Sequence, residues 1–114
     1  MGVGVFLQDK ECDSMPEYYF GIALEKLGYE YRYHWKIGIA GTAGSIEVDF
    51  IVYAPTQIPI EIMGDHWHPN LMGENEAIRF AKIRDYFHLE PILIKAEILF
   101  SISAAMIWIK ANLP

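Results

Sequence analysis

Basic residues are scarce in this chain. Its 114 residues hold nine Lys and Arg against 15 Asp and Glu, for a formal net charge of −6 and a pI near 5.1. Proteins that neutralise phosphate backbones carry the opposite sign, so the balance taken alone argues against a nucleic-acid partner. Cysteine is nearly absent as well. Cys12 stands alone and can form no internal disulfide, and no Cys/His spacing of the structural-zinc kind is present. An exported disulfide framework is thereby excluded, and a cytoplasmic setting is expected. No apolar run approaches the ~20 residues of a spanning helix, since the best candidate, Ile98 to Ile109, is broken by Ser101 and Ser103. The stretch from Met1 to Leu7 lacks the basic leader of a signal sequence, so no membrane or export role is expected. Internal repeats, low-complexity tracts and Pro/Gly/Ser linkers are also missing, which leaves one domain over residues 1–114.

What is plentiful is core material. Hydrophobic residues make up 53% and charged residues 21%, which rules out a disordered chain. Ser14-Met15-Pro16-Glu17 is a capping box with proline in the first turn. Phe20, Ala23, Leu24 and Leu27 follow at helical spacing up to Gly28, which predicts a helix over 16–27. From 29 to 37 the text alternates, with Tyr29, Tyr31, Tyr33 and Trp35 on one face and Glu30, Arg32, His34 and Lys36 on the other. A glycine-rich turn over 38–45 leads to a second strand carrying Ile46, Val48, Phe50 and Val52, which Ala54-Pro55-Thr56 ends.

Ile58, Ile60 and Ile62 form one face of a third strand ending at Gly64, with Glu61 and Met63 opposite. A polar loop over 65–73 precedes a helix at 74–87 whose stripe is Ala77, Phe80, Ile83 and Phe87. A short apolar strand at 91–94 and an almost wholly apolar helix at 101–112 complete an α/β order of α-β-β-β-α-β-α, with a small mixed sheet flanked by helices. The last helix is apolar on nearly every side and suits deep packing or burial against a second copy or a larger complex.

Two acids stand inside greasy strands, where an unpaired charge is costly and usually signals a partner or a metal. Asp49 lies in Glu47-Val48-Asp49-Phe50, and Glu61 in Ile60-Glu61-Ile62-Met63-Gly64. The tight turn between the strands makes them antiparallel neighbours and can bring the carboxylates together. A hard cation such as Mg²⁺ prefers oxygen ligands of this kind and acidifies bound water.

These residues resemble a family. Glu17 on the first helix, Val48-Asp49-Phe50, and Ile60 to Gly64 together look like the PD-(D/E)xK nuclease superfamily, with its restriction-endonuclease-like fold. Gly64-Asp65-His66-Trp67-His68 is similar to the Gly-x-x-Trp-His stretch of very-short-patch mismatch repair endonucleases. The resemblance implies a metal-dependent DNA endonuclease using Mg²⁺ or Mn²⁺. Asp49, Glu61 and the Ile62 carbonyl would hold the ion, with Glu17 at the edge of the site. His68 would assist near the scissile phosphate, and His66, Arg79 and Lys82 would contact DNA.

One position departs from the pattern. The residue two after Glu61 is usually lysine and here is Met63, whose thioether can neither polarise water nor balance charge. Lys82 is the cation that could compensate; otherwise the chain is a silent nuclease-like module for binding or assembly. Each candidate also has a plain structural role. Glu17 completes a capping box, His66 and His68 can be solvated loop residues or a zinc-binding pair, and Arg79 and Lys82 can pair with Glu76 on an exposed helix face. His34 and His88 have no constellation around them and read as structural. If several acids gather at one metal site, a bound dication inverts the local field. The net charge then predicts only that any DNA binding is weak, metal-dependent or helped by a partner.

Overall fold

The computed structural model describes residues 2–38, 45–64 and 73–114. It begins with a hairpin that has no sequence alternation long enough to announce it, β1 (Phe6–Leu7) against β2 (Lys10–Glu11). Gln8 and Asp9 turn it at φ of 50° and 64°, the left-handed backbone that two-residue hairpin loops favour. The expected order α-β-β-β-α-β-α is corrected accordingly, because these two strands precede the first helix and a short 3-10 turn over Ala96–Ile98 precedes the last.

Helix α1 (Met15–Lys26) starts where the capping box places it. Ser14 Oγ accepts from the Glu17 amide at 3.4 Å and donates to the Glu17 carboxylate at 3.0 Å. Gly28, at φ of 82°, takes the left-handed turn that follows the helix. Strands β3 (Glu30–Ile37), β4 (Ile46–Tyr53) and β5 (Gln57–Met63) form an antiparallel meander. Helix α2 (Glu74–Phe87) then crosses over so that β6 (Ile92–Lys95) pairs parallel to β5, giving the order β3-β4-β5-β6. Helix α3 (Ile102–Asn112), capped by Ser101 Oγ on the Ala104 amide, ends the chain.

The sheet separates two cores. On one face Phe20 of α1, Ala105 and Ile109 of α3, and Tyr31, Tyr33, Phe50 and Ile60 of the sheet are buried together. On the other, Phe80 and Ile83 of α2 meet Ile37, Val48 and Ile51. Ala77 is exposed and takes no part in the α2 stripe. The β1 side chain Leu7 lies against Gly21 of α1 so closely that a Cβ there would come within 2.2 Å of Leu7, which is why that helical position carries no side chain. No described helix is long and apolar enough to cross a membrane.

The expectation that Tyr29 to Trp35 keep one face fails midway. Tyr31 and Tyr33 enter the first core, Ile37 enters the second, and Trp35 is 44% exposed. Across the ladder, Phe50 and Val52 belong to the first core, while Ile46 and Val48 belong to the second. An unbroken strand keeps alternate residues on one face, so both strands switch faces in step. The switch falls between Tyr33↔Phe50 and Trp35↔Val48, at the opposed pair His34 and Asp49, which is missing from the ladder. His34 stands there at φ of 48°. A non-glycine residue in that conformation costs of order 1 kcal/mol or more and persists only where its surroundings hold it, commonly at functional sites.

Candidate metal centre

The break in the sheet collects charged groups. Continuing the β4–β5 register one pair beyond Phe50↔Ile60 sets Asp49 opposite Glu61, so His34, Asp49 and Glu61 form a row across three strands. In that row side chains replace backbone rungs. The Asp49 amide donates to Glu61 Oε2 at 2.7 Å, and the Ile62 amide donates to Asp49 Oδ2 at 2.8 Å. The Glu61 side chain is 1% exposed, and its other oxygen takes an ion pair from Arg79 of α2. Arg79 also donates to the Glu47 carbonyl at 2.5 Å and so ties α2 to the rims of β4 and β5.

The second half of the cluster comes from α1 and β3. Glu17 Oε1 accepts from the Tyr33 hydroxyl at 2.5 Å and lies 2.9 Å from His34 Nε2. His34 stacks on the Tyr33 ring at 3.8 Å between centroids, with Asp13 at 3.6 Å from Nε2 and Glu47 at 3.4 Å from Nδ1. Asp13, Glu17 and His34 form a group able to hold a metal ion, their ligand atoms within 4.8 Å of one another. Lys10 reaches over from the hairpin and donates to the carbonyls of Tyr33 and His34 at 2.8 and 3.1 Å, which fixes the backbone where His34 turns left-handed.

The electrostatics couple the two halves. Burial raises the Asp49 carboxyl to about 6; the Ile62 amide opposes this, the Glu17 carboxylate adds to it, and Arg79 and His34 pull the other way. For Glu17, burial pushes up, but hydrogen bonds from His34, Tyr33 and Ser14 outweigh it and hold the carboxyl below its ordinary range. Burial lowers His34, and the bond to Glu17 with the nearby charges of Glu17, Glu47 and Asp13 more than reverses this, so the imidazole keeps its proton more tightly than usual. The centre therefore sets the Glu17–His34 pair, in which each group favours the charged form of the other, beside an acid, Asp49, that burial makes reluctant to ionise.

Of the residues expected from sequence, Asp49, Glu61 and Arg79 are linked to one another across β4, β5 and α2, whereas Glu17 of α1 joins His34 and Asp13. Arg79 binds Glu61 and the Glu47 carbonyl, while Lys82, one turn further along α2, is half-buried. The Ile62 amide is spent on Asp49. Met63 packs into the second core beside Phe80 and Ile83. His66 and His68, with Asp65 and Trp67, lie outside the described residues. Glu17 serves both as capping-box acid and as a member of the cluster, because Ser14 and the Tyr33–His34 pair occupy different oxygens.

His34, structural on the sequence alone, stands among the carboxylates of Asp13, Glu17 and Glu47. Their meeting depends on the left-handed turn at His34, for which the alternating text of β3 carries no signal. Compared with protein-family models, with curated proteins and with solved structures, the chain matches none.

Proposed function

We propose that this chain is a metal-dependent DNA endonuclease of the restriction-endonuclease-like kind. The observation that carries the reading is the group of Asp13, Glu17 and His34, able to hold a metal ion, at a break in the sheet where His34 stands opposite Asp49, an acid that ionises reluctantly. The donor set fits Mg²⁺ or Mn²⁺: carboxylate oxygens suit both, and the His34 imidazole beside them suits Mn²⁺ better. Asp13, Glu17 and His34 would hold the ion, with Asp49, opposite His34 in the sheet, as a further donor. When bound, such an ion supplies polarisation of a phosphoryl oxygen and an acidified water.

The chain's own groups orient that chemistry. Tyr33 and Ser14 aim the two oxygens of Glu17. The Ile62 amide fixes Asp49, and Arg79 supplies beside Glu61 the positive charge that Met63 cannot.

A second reading keeps the fold and drops the reaction. It is favoured by Glu61, whose two oxygens are already engaged by Arg79 and the Asp49 amide, and by the exposed Phe100 and Ile107 beside and on α3, a surface suited to assembly. Incubation of the purified chain with Mn²⁺ and supercoiled, nicked or mismatched DNA separates the two. The endonuclease reading expects strand cleavage that EDTA stops; intact DNA in every case would leave the silent module.

A further inference from the structure

Beside the acidic centre the surface reverses sign. A groove of about 430 Å³ is lined by Lys10, His34, Trp35, Lys36 and Glu47. Lys10 Nζ and the Arg32 guanidinium lie 5.4 and 5.7 Å from the centre of the Trp35 ring, and Lys36 follows it in sequence. Three of the nine basic residues of this acidic chain thus gather around one exposed tryptophan. The gathering follows from the switch at His34, which turns Trp35 out of the tyrosine core and leaves it 44% exposed. Lys10 spends two of its three N–H bonds on the Tyr33 and His34 carbonyls, which holds the ammonium in place with one donor left for a ligand.

We propose that this groove binds a single-stranded DNA segment, with one unpaired base stacked on Trp35 and its flanking phosphates on Lys10 and Lys36. An exposed aromatic ring beside two lysines, one of them held by the Tyr33 and His34 carbonyls, matches both features of a single strand, a free π-face and a phosphate track. A duplex offers the phosphates but keeps its bases stacked inside, so the ring would have no partner. His34 lines the groove and also lies 2.9 Å from Glu17, so a strand seated on Trp35 brings a phosphodiester to the candidate centre. The choice of DNA rests on the endonuclease reading above; the stacking and phosphate geometry do not.

The test is fluorescence anisotropy in EDTA with a labelled oligothymidylate of about 12 bases and a duplex of equal length, a span matched to single-strand sites of ~4–16 nucleotides. The single strand is expected to bind at least about tenfold more tightly. Trp35→Ala should weaken it about tenfold and Trp35→Phe much less, as stacking requires. Lys36→Glu should weaken binding and lower the slope against log salt by about 1. Equal binding of duplex, equal displacement by polyglutamate, or unchanged affinity in a folded Trp35→Ala variant would each overturn the proposal. Because EDTA removes any cation chemistry, the outcomes separate. Duplex cleavage in Mn²⁺ without single-strand binding sinks the groove alone, and binding without cleavage sinks the endonuclease reading alone.

Discussion

Arg79→Ala should destabilise the fold by about 2–3 kcal/mol, measured by urea unfolding near neutral pH. Removing one partner of a buried ion pair typically costs about 3–5 kcal/mol, because the charge left behind has neither water nor a counter-ion. Glu61 is in that position, 1% exposed, whereas the Arg79 side chain is 34% exposed, and solvent on its side takes the expected loss to the low end or below. The second cost is the lost bond to the Glu47 carbonyl, which joins α2 to β4. Adding Glu61→Gln should recover more than half of the loss, since an amide can still accept from the Asp49 amide without carrying charge. A change under about 0.5 kcal/mol, the range of ordinary surface substitutions, would show that the pair does not hold the site together.

Asp49→Asn is expected to act in opposite directions on stability and on cleavage. The folded carboxyl sits at about 6 against 3.8 for the unfolded chain, so the native state binds this proton more tightly. Ionising Asp49 therefore opposes folding. The penalty is absent below pH 3.8, grows as pH rises towards 6 and is complete above it. It amounts to roughly 3 kcal/mol, at about 1.4 kcal/mol per unit. The asparagine variant, still able to accept from the Ile62 amide, should be more stable than the parent at pH 8 by roughly 2–3 kcal/mol, with the difference closing towards pH 4. Saturating Mn²⁺ should narrow the gap at pH 8, because only the parent gains from binding in the folded state. Any Mn²⁺-dependent DNA cleavage should fall by at least about a hundredfold, the scale on which removing a preorganised charge acts. An asparagine variant that is less stable at pH 8, or that cuts DNA as fast, would contradict the assignment of Asp49.

How much of this could be seen in the sequence varies with the range of the signals. The capping box from Ser14 to Glu17, the Phe80–Ile83–Phe87 stripe and the alternation of Ile58, Ile60 and Ile62 are local, and each led to its element within a residue or two. Asp49 and Glu61 stood out because charge inside an apolar strand needs an explanation. The hairpin at Phe6–Glu11 escaped because its strands have two residues each and its turn carries neither glycine nor asparagine. The larger loss was His34. Its alternation with Glu30, Arg32 and Lys36 sets it opposite the tyrosines as a structural residue, and nothing in β3 announces that the strand turns over there. That turn is stabilised from a distance, by Lys10 on its carbonyls and by Glu17 on its ring. The same event exposes Trp35, so the acidic centre and the basic groove share one cause that only tertiary structure reveals. Arg79 reads in the sequence as a phosphate contact for a similar reason: its distance to Glu61 along the chain conceals that α2 lies over β5.

The net charge of −6 no longer describes the surface as a whole. Asp13 and Glu17 gather with His34, and Lys10 and Arg32 stand around Trp35. A dication held by the acids would join the two patches into one surface favourable to phosphate.

The central claim is that Asp13, Glu17 and His34 hold a divalent cation with Asp49 as a further donor, and Mn²⁺ electron paramagnetic resonance tests it most directly. Titrating Mn²⁺ into the parent chain near neutral pH should deplete the free-ion signal with a stoichiometry of one, and Asp49→Asn and Glu17→Gln should each abolish that depletion. A free-ion signal that stays undiminished at millimolar Mn²⁺, or that is depleted equally in the Asp49→Asn variant, would contradict the account.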